Sequence, residues 1–282
     1  MKAIKDNKSQ DKFLKAIVKD LEKTGFASEM RAMKAFISQS WRTSGNRSYF
    51  DLDENKTREI DFSAYNTLTE YHPQTKEIIG QSFFQVVAEV KKTDKPWIIF
   101  RENPHNAWKL QEGWSSLICC AGLSDKRDRK ILTDILLTSG WGYHVGWFGY
   151  GVHEAFKPPQ QPSRWYEALV KVCKSGEDIL KANSFKKHSY PYFFFVKPLV
   201  VVDGELISVY LDEKANIKAE QINAAMIDFD FSTTNYKESR YTIDIVSLNY
   251  LPNYIEFCEL RHKKIFDELK QHCVAKTTQT TR

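Results

Sequence analysis

The chain has 282 residues, of which 42% are hydrophobic and 27% are charged. This composition is that of a folded globular protein and excludes a disordered or collagen-like chain. The net charge of +5 allows a nucleic-acid partner without requiring one, because recognition domains usually carry a stronger or clustered basic excess.

Cysteine usage and hydropathy bear on the compartment. Five cysteines without a Cys-x-x-Cys spacing indicate reduced thiols. No apolar signal-peptide core follows the charged N-terminal stretch, and the longest apolar run, 192–202, is too short to span a bilayer. We therefore expect a soluble, cytoplasmic protein without a membrane partner.

The N-terminal third predicts two helices followed by a strand hairpin. The helices cover residues 11–24 and about 28–40, and the strands cover 47–53 and 58–66. Glu29 lies at the edge of an apolar stripe on the second helix, formed by Phe26, Met30, Met33 and Ile37.

The middle of the chain predicts further strands and helices. A polar connection at 69–81 leads into a strand at 82–91, and a short strand is predicted within 95–102. Helical patterns follow at 125–138 and 163–182, and a segment that interleaves Gly with aromatic residues, 140–151, lies between them.

The C-terminal third begins with two apolar runs, 192–202 and 205–211, around an Asp-Gly pair that is typical of a β-hairpin. Two weaker strands near 224–231 and 239–246 precede a helix that begins near Pro252. Helices mixed with strand runs and hairpins predict an α/β fold on a mixed sheet.

The strand predicted at 82–91 is mostly apolar, but charged residues occur near its C-terminal end. Alternation places Gln85, Val87, Glu89 and Lys91 on one face, since alternate residues of a strand share a face. On the preceding strand it places Glu59, Asp61 and Ser63 together and Ile60, Phe62 and Ala64 opposite. If the two strands are neighbours, Asp61 and Glu89 converge beside Lys91. Two carboxylates beside a lysine predict a site for Mg²⁺ or Mn²⁺ that can activate water.

These residues resemble the PD-(D/E)xK nucleases, a superfamily that includes restriction endonucleases and Holliday-junction resolvases. The resemblance is carried by Asp61, by Glu89-Val90-Lys91 at a strand end, and by Glu29 in the upstream helix, and it covers roughly residues 26–101. Two features depart from the family pattern. Ile60 precedes Asp61 where many members have proline, and the 28-residue separation of Asp61 and Glu89 is long, which the polar connection accounts for.

The resemblance implies a restriction endonuclease-like αβββαβ core with a mixed central sheet and flanking helices. It implies an N-terminal helix at 1–25, a core at 26–211 with an insertion at about 102–162, and additional C-terminal strands and a helix at 212–273. A disordered tail is expected at 274–282. The additional elements could serve dimerisation or substrate choice, so a homodimer is left open.

The function that the resemblance implies is metal-dependent hydrolysis of phosphodiester bonds, with DNA preferred over RNA. Asp61, Glu89 and Glu29 would hold Mg²⁺ or Mn²⁺, and Lys91 would position the attacking water. No P-loop motif is found in the sequence, so ATP is not expected. Two alternatives stay open: a cross-strand ion pair on a solvated sheet face, and a non-catalytic nucleic-acid-binding or protein-interaction module on the same fold.

Several secondary residues are candidates for nucleic-acid contact. Lys92 and Lys95 follow the proposed site, and Lys126 and Arg127 belong to a charged run at 124–130 that could contact phosphates or form a solvated helix face. The Gly-aromatic segment 140–151 could stack exposed bases, or its rings could pack within a long loop or hairpin. Glu59 could replace Glu29 as a metal ligand, or it could be a solvent-facing residue.

Overall fold

The computed structural model describes residues 2–101, 117–121, 147–158, 164–184, 190, 192–236 and 240–277. Within these ranges the fold is mixed α/β. Its helices are α1 (Lys2–Leu21), α2 (Phe26–Ser38), α3 (Arg164–Ser184) and α4 (Leu251–Thr277), and a 3₁₀ turn covers Leu248–Tyr250. Its strands are β1 (Arg42–Asp51), β2 (Lys56–Tyr71), β3 (Ile78–Lys92), β4 (Trp97–Arg101), β5 (Ile118–Ala121), β6 (Trp147–Glu154), β7 (Tyr192–Asp203), β8 (Leu206–Leu211), β9 (Ile217–Ile222), β10 (Ala224–Asp230) and β11 (Arg240–Ser247).

The strands form one mixed sheet in the order β1-β2-β3-β7-β11-β10-β6-β4-β8-β9, and β5 pairs with β7 off this path. The first three strands are antiparallel neighbours, and β7 runs parallel to both β3 and β11. The strands predicted near 224–231 and 239–246 are confirmed as β10 and β11, and they belong to the same sheet as β3.

The hairpin predicted around Asp203-Gly204 is wrong, because β8 pairs with β4 and β9 instead. The parallel strands β3 and β7 turn together, and their continuations β4 and β8 are parallel neighbours as well. The β3–β4 and β7–β8 connections contact each other, since the Thr93 N–H donates a hydrogen bond to the Asp203 carbonyl at 3.0 Å. A Cβ at Gly204 would lie 2.6 Å from the Thr93 Cγ2. Glycine at 204 therefore serves this close approach.

Two buried clusters cover the two faces of the sheet. Helices α2 and α4 pack on one cluster, which contains Phe36, Phe84, Ala88, Val201 and Tyr254. Helix α3 packs on the other, which contains Val87, Leu169, Val172, Val200 and Ile227. The alternation predicted for β3 is therefore confirmed, with Ala88 and Val87 on opposite faces.

The apolar stripe predicted on the second helix is wrong. Phe26 and Met30 are mostly exposed, and α2 instead buries Ser28, Ala32 and Phe36 against the sheet. The buried face begins with two small residues, which let the helix approach the strands closely. The Ser28 hydroxyl uses this proximity to donate to Asp203 at the end of β7.

Part of the Gly-aromatic segment forms strand β6, which pairs with β4 and β10. Gly149 is required there by packing, since a Cβ would lie 2.6 Å from Ile99 Cγ2 and 2.9 Å from Ile227 Cδ1. The helix predicted at 125–138 and the rest of the segment, 140–146, lie outside the described residues.

Helix α1 covers Lys2–Leu21, within the N-terminal helix expected at 1–25, and it begins earlier than the helical pattern at 11–24. Helix α4 runs to Thr277, so residues 274–277 of the expected tail are helical. Among the described helices, none combines the length and the apolar character needed to cross a lipid bilayer.

Candidate active site

Strands β2 and β3 place Asp61 and Glu89 side by side. The antiparallel register pairs Phe62 with Ala88. Asp61, which precedes Phe62, therefore lies next to Glu89, which follows Ala88. The Asp61 Oδ2 atom accepts a 2.7 Å hydrogen bond from the Val90 backbone N–H. A backbone donor of β3 therefore fixes the carboxylate of β2.

Lys91 connects the two carboxylates. Its ammonium donates a hydrogen bond to Glu89 Oε2 and lies 3.9 Å from Asp61 Oδ2. The Glu89 side chain is wholly buried, whereas those of Asp61 and Lys91 are about one-fifth exposed. The structure therefore brings the three predicted side chains together at a place that solvent can reach from one side.

A second lysine, Lys171 on α3, was missed by the sequence reasoning. Its Nζ lies 3.2 Å and 3.4 Å from the two oxygens of Glu89. The available signal was its position one residue before the core residue Val172, at the flank of the helix face that packs on the sheet. A single lysine at the flank of a helix could also be a solvated residue. Only the packing of α3 over β3 distinguishes such a residue from one that contacts Glu89.

Buried ion pairs hold α3 in place. The Lys174 ammonium lies 2.8 Å from Asp51 Oδ1 and 2.9 Å from Asp53 Oδ2, at the turn between β1 and β2. The Lys174 and Asp51 side chains are both almost fully buried. Lys171 is thereby carried by a helix that is fixed to the strand pair containing Asp61.

Glu29 on α2 belongs to the same electrostatic group. Burial raises the pKa of Glu29, and repulsion from Asp61 and Glu89 raises it further, while Lys91 and Lys171 oppose this increase. Burial likewise raises the pKa of Glu89, and the two lysines oppose this shift. Both shifts follow first from burial, which disfavours the charged form of each carboxyl.

The predicted alternation of β2 breaks at Asp61. Ile60 packs in the cluster under α3, whereas Phe62 packs in the cluster under α2 and α4, so these two residues do not share a face. Opposite the break, Asn46 of β1 has φ of 47° and is not part of the β1–β2 register. This local twist removes the basis for placing Glu59 on the face of Asp61.

The donor chemistry fits Mg²⁺ or Mn²⁺. No group of three or more His, Cys, Asp or Glu side chains that could hold a metal ion occurs within the described part of the chain. Magnesium is, however, usually held by one or two carboxylates together with water and substrate phosphates. Asp61 and Glu89 supply two such carboxylates, and Glu29 lies close enough for both of them to influence its pKa.

A polar cavity of about 430 Å³ adjoins the site at the end of β3; its lining includes Lys92, Lys95, Glu154, Lys157 and Arg164. Glu154 is buried between Lys157 and Arg164. Lys92 donates to the Glu22 carbonyl, and Lys95 donates to the Phe156 carbonyl at 2.8 Å. The other two candidates, Lys126 and Arg127, lie outside the described residues.

No family model, no curated protein and no solved structure matches this chain.

Proposed function

We propose that the protein is a divalent-metal-dependent nuclease with a restriction endonuclease-like core. The chain order of α2, β1, β2, β3, α3 and β7 supports this, because it follows the αβββαβ sequence of elements that the resemblance implies. Strands β5 and β6 then fall within the expected insertion at about 102–162, and β4 immediately precedes it.

The observation that carries the proposal is the junction of Asp61, Glu89 and Lys91 at the end of two adjacent strands. Here a wholly buried glutamate contacts two lysines while an aspartate lies within 4 Å of one of them. Burying several charges is unfavourable unless each is paired, so such a group is a functional-site candidate.

Each residue has a distinct role in the proposed chemistry. Asp61 and Glu89, with Glu29 nearby, would hold Mg²⁺ or Mn²⁺, which when bound neutralises the phosphate and acidifies water. The N–H of Val90 keeps the Asp61 carboxylate oriented. Lys171 favours the ionised form of Glu89, which burial disfavours.

Lys91 would handle the attacking water. Its ammonium is held between the two carboxylates, so it can donate a hydrogen bond to a water near the phosphate and orient that water for attack. A variant that keeps the positive charge but changes its shape, such as Lys91→Arg, should therefore bind substrate and cleave it slowly.

DNA is the proposed substrate, with RNA as the alternative. The polar cavity next to Lys91 would receive the phosphate backbone, since phosphate contacts position such proteins before bases are read. In Ca²⁺, which occupies such sites without usually supporting cleavage, affinity for DNA should fall steeply with salt concentration. Lys92→Ala should weaken binding to all sequences alike.

The decisive experiment incubates the protein with plasmid DNA, single-stranded DNA and RNA in Mg²⁺, Mn²⁺ or EDTA. Cleavage is expected with either metal and not with EDTA, and Asp61→Asn should abolish it while circular dichroism shows an unchanged fold. Asp20→Asn, an exposed aspartate of α1, is the matched control and should cut like the unaltered protein.

Retained cleavage by Asp61→Asn would place the catalytic centre elsewhere. Salt-sensitive binding without cleavage under any metal condition would instead favour the non-catalytic nucleic-acid-binding module.

A further inference from the structure

A second cavity, of about 360 Å³, lies beside the N-terminal half of α3 and has a different chemistry from the polar cavity. We call it the aromatic pocket; its lining includes Tyr150, Tyr166, Phe229, Asp228, Asp230 and Arg240. It is formed by β6, α3, β10 and the start of β11. It is not part of the site around Glu89.

The rings of the aromatic pocket are supported from behind and open in front. Tyr150 stacks on Phe100 with the ring centroids 6.1 Å apart, and Tyr166 meets Phe229 edge to face at 5.7 Å. Tyr150 and Tyr166 are nevertheless 61% and 47% exposed. Two fixed tyrosines with accessible surfaces form a platform on which a flat ring can stack.

The polar edge of the pocket carries two carboxylates and one guanidinium. The Arg240 Nε lies 3.5 Å from a carboxylate oxygen of both Asp228 and Asp230. The two aspartates exceed the single guanidinium by one negative charge, and their carboxylate oxygens can accept hydrogen bonds from N–H groups. A neutral flat ring with an amino group satisfies both the platform and the edge.

The apolar lining that β10 gives the pocket lies on the same face of the sheet as Glu89, and Asp228 and Asp230 alternate with it along the strand. The pairings Glu89–Val200, Val200–Ile245 and Ile245–Ala225 run straight across the sheet, so Ala225 of β10 lies about 14 Å, three strand spacings, from Glu89. Ile227 and Phe229, which line the pocket, follow on β10 and pack with Val87 and Val200 in the cluster under α3.

Helix α3 links the two sites. Lys171 contacts Glu89, and Tyr166, about 7.5 Å earlier along the helix axis, lines the aromatic pocket. The residue that begins α3, Arg164, lines the polar cavity next to Lys92. A nucleic-acid strand that enters the site thus passes close to the pocket.

We infer that the aromatic pocket binds one unpaired nucleobase that carries an exocyclic amino group, from a strand whose phosphate lies at the Glu89 site. The ring stacks on Tyr150 and Tyr166, and the amino group donates to the carboxylate edge, as cytosine N4 does to Asp or Glu. The inference rests on the proposed nuclease function, because that function supplies the strand.

The test measures binding of fluorescein-labelled 12-mers of dC and dT to the full-length protein in Ca²⁺ by fluorescence anisotropy. These two pyrimidines are similar in size and differ in the amino group. We expect tighter binding of the dC strand, and a loss of about tenfold in its affinity in the Tyr150→Ala, Tyr166→Ala double variant. Asp230→Asn, at a mostly exposed position, should remove most of the preference for dC.

Tyr71→Ala removes an exposed tyrosine at the far end of the β2–β3 hairpin and should leave both affinities unchanged. Equal affinity for dC and dT, or a double variant that binds like the unaltered protein, would overturn the inference. Competition by tetramethylammonium ions would overturn it as well, because it would identify the pocket as a cation cage.

The two proposals fail in different ways. A preference of the unaltered protein for dC, without cleavage of any substrate in Mg²⁺ or Mn²⁺, would refute the nuclease and leave the pocket. Metal-dependent cleavage that is indifferent to the tyrosine and Asp230 substitutions would refute the pocket and leave the nuclease.

Discussion

Replacing Lys171 with methionine tests the residue that connects α3 to the candidate site. The substitution keeps most of the apolar stem and removes the charge that lies 3.2 Å from Glu89 Oε1. The stability of this contact should depend on pH, because the attraction exists only while Glu89 is ionised.

The magnitude follows from the type of contact and its exposure. A hydrogen bond between charged groups contributes roughly 1.5–3 kcal/mol. The Lys171 side chain is 35% exposed, so solvent screening reduces this to about 1 kcal/mol. Removal of the lysine charge should raise the Glu89 pKa further, because Lys171 opposes the upward shift.

The direction of the pH dependence of stability is fixed by the ionisation of Glu89, whose pKa is already raised from 4.5 by burial. The contact stabilises the folded state where Glu89 is ionised, above its raised pKa, and this advantage is lost as pH falls through that pKa. Urea denaturation should therefore show the variant less stable by about 1 kcal/mol near pH 8 and equal to the unaltered protein below about pH 4. The acid limb of the cleavage rate should move to higher pH by the same shift.

Lys264→Met, which alters an exposed lysine of α4, is the control and should show neither effect. A stability difference that is the same at pH 4 and pH 8 would refute the reasoning, since it would show that Lys171 contributes through packing and not through Glu89.

Three further outcomes follow from the described contacts. Glu29→Gln should raise the metal-free unfolding free energy near neutral pH by about 0.5 kcal/mol after screening, with the gain absent below about pH 4, because burial and Asp61 raise the pKa of this carboxyl. It should also slow cleavage less than Asp61→Asn does. Lys174→Met should cost about 3 kcal/mol in urea denaturation, because the buried Asp51 carboxylate loses its nearest cation and retains Arg58 at 3.6 Å, whereas the exposed Lys181→Met should cost little. Gly149→Ala should lower stability by about 1–3 kcal/mol through overpacking, while Gly151→Ala, whose nearest neighbour would lie 3.5 Å away, should be tolerated; a reversed order would contradict the described packing of β6.

The local patterns that predicted correctly are those in which neighbouring residues decide the structure. Alternation in β3 placed Glu89 and Lys91 on the face of Val87, and the paired strands brought Asp61 to them. Burial of one sheet face fixes this register strongly, because a shift of one residue would exchange the two faces.

The patterns that failed depend on distant partners. Asp203-Gly204 has the composition of a hairpin turn, yet the parallel pairing of β3 with β7 carries β8 onto β4. On α2, larger apolar side chains suggested one face, whereas the small residues Ser28 and Ala32 allow the sheet to approach another. Turn composition and apolar size are local signals, and neither specifies which strand lies across the core.

The candidate site divides in the same way. Its strand residues could be found from alternation, whereas Lys171 could not, because its distance from Glu89 in the sequence is 82 residues and only the packing of α3 joins them. The break at Asp61 was also invisible, since Asn46 takes its positive φ opposite it on another strand.

The anchoring of α3 by Lys174 has a consequence for where a strand would be cut. The helix cannot slide along its axis without separating Lys174 from Asp51 and Asp53, so the offset between Tyr166 and Lys171 is constant. If a strand inserts a base beside Tyr166 and places a phosphate beside Lys171, the helix fixes the distance between that base and that phosphate. The scissile bond would then fall at a set number of nucleotides from the inserted base, wherever the strand happens to end.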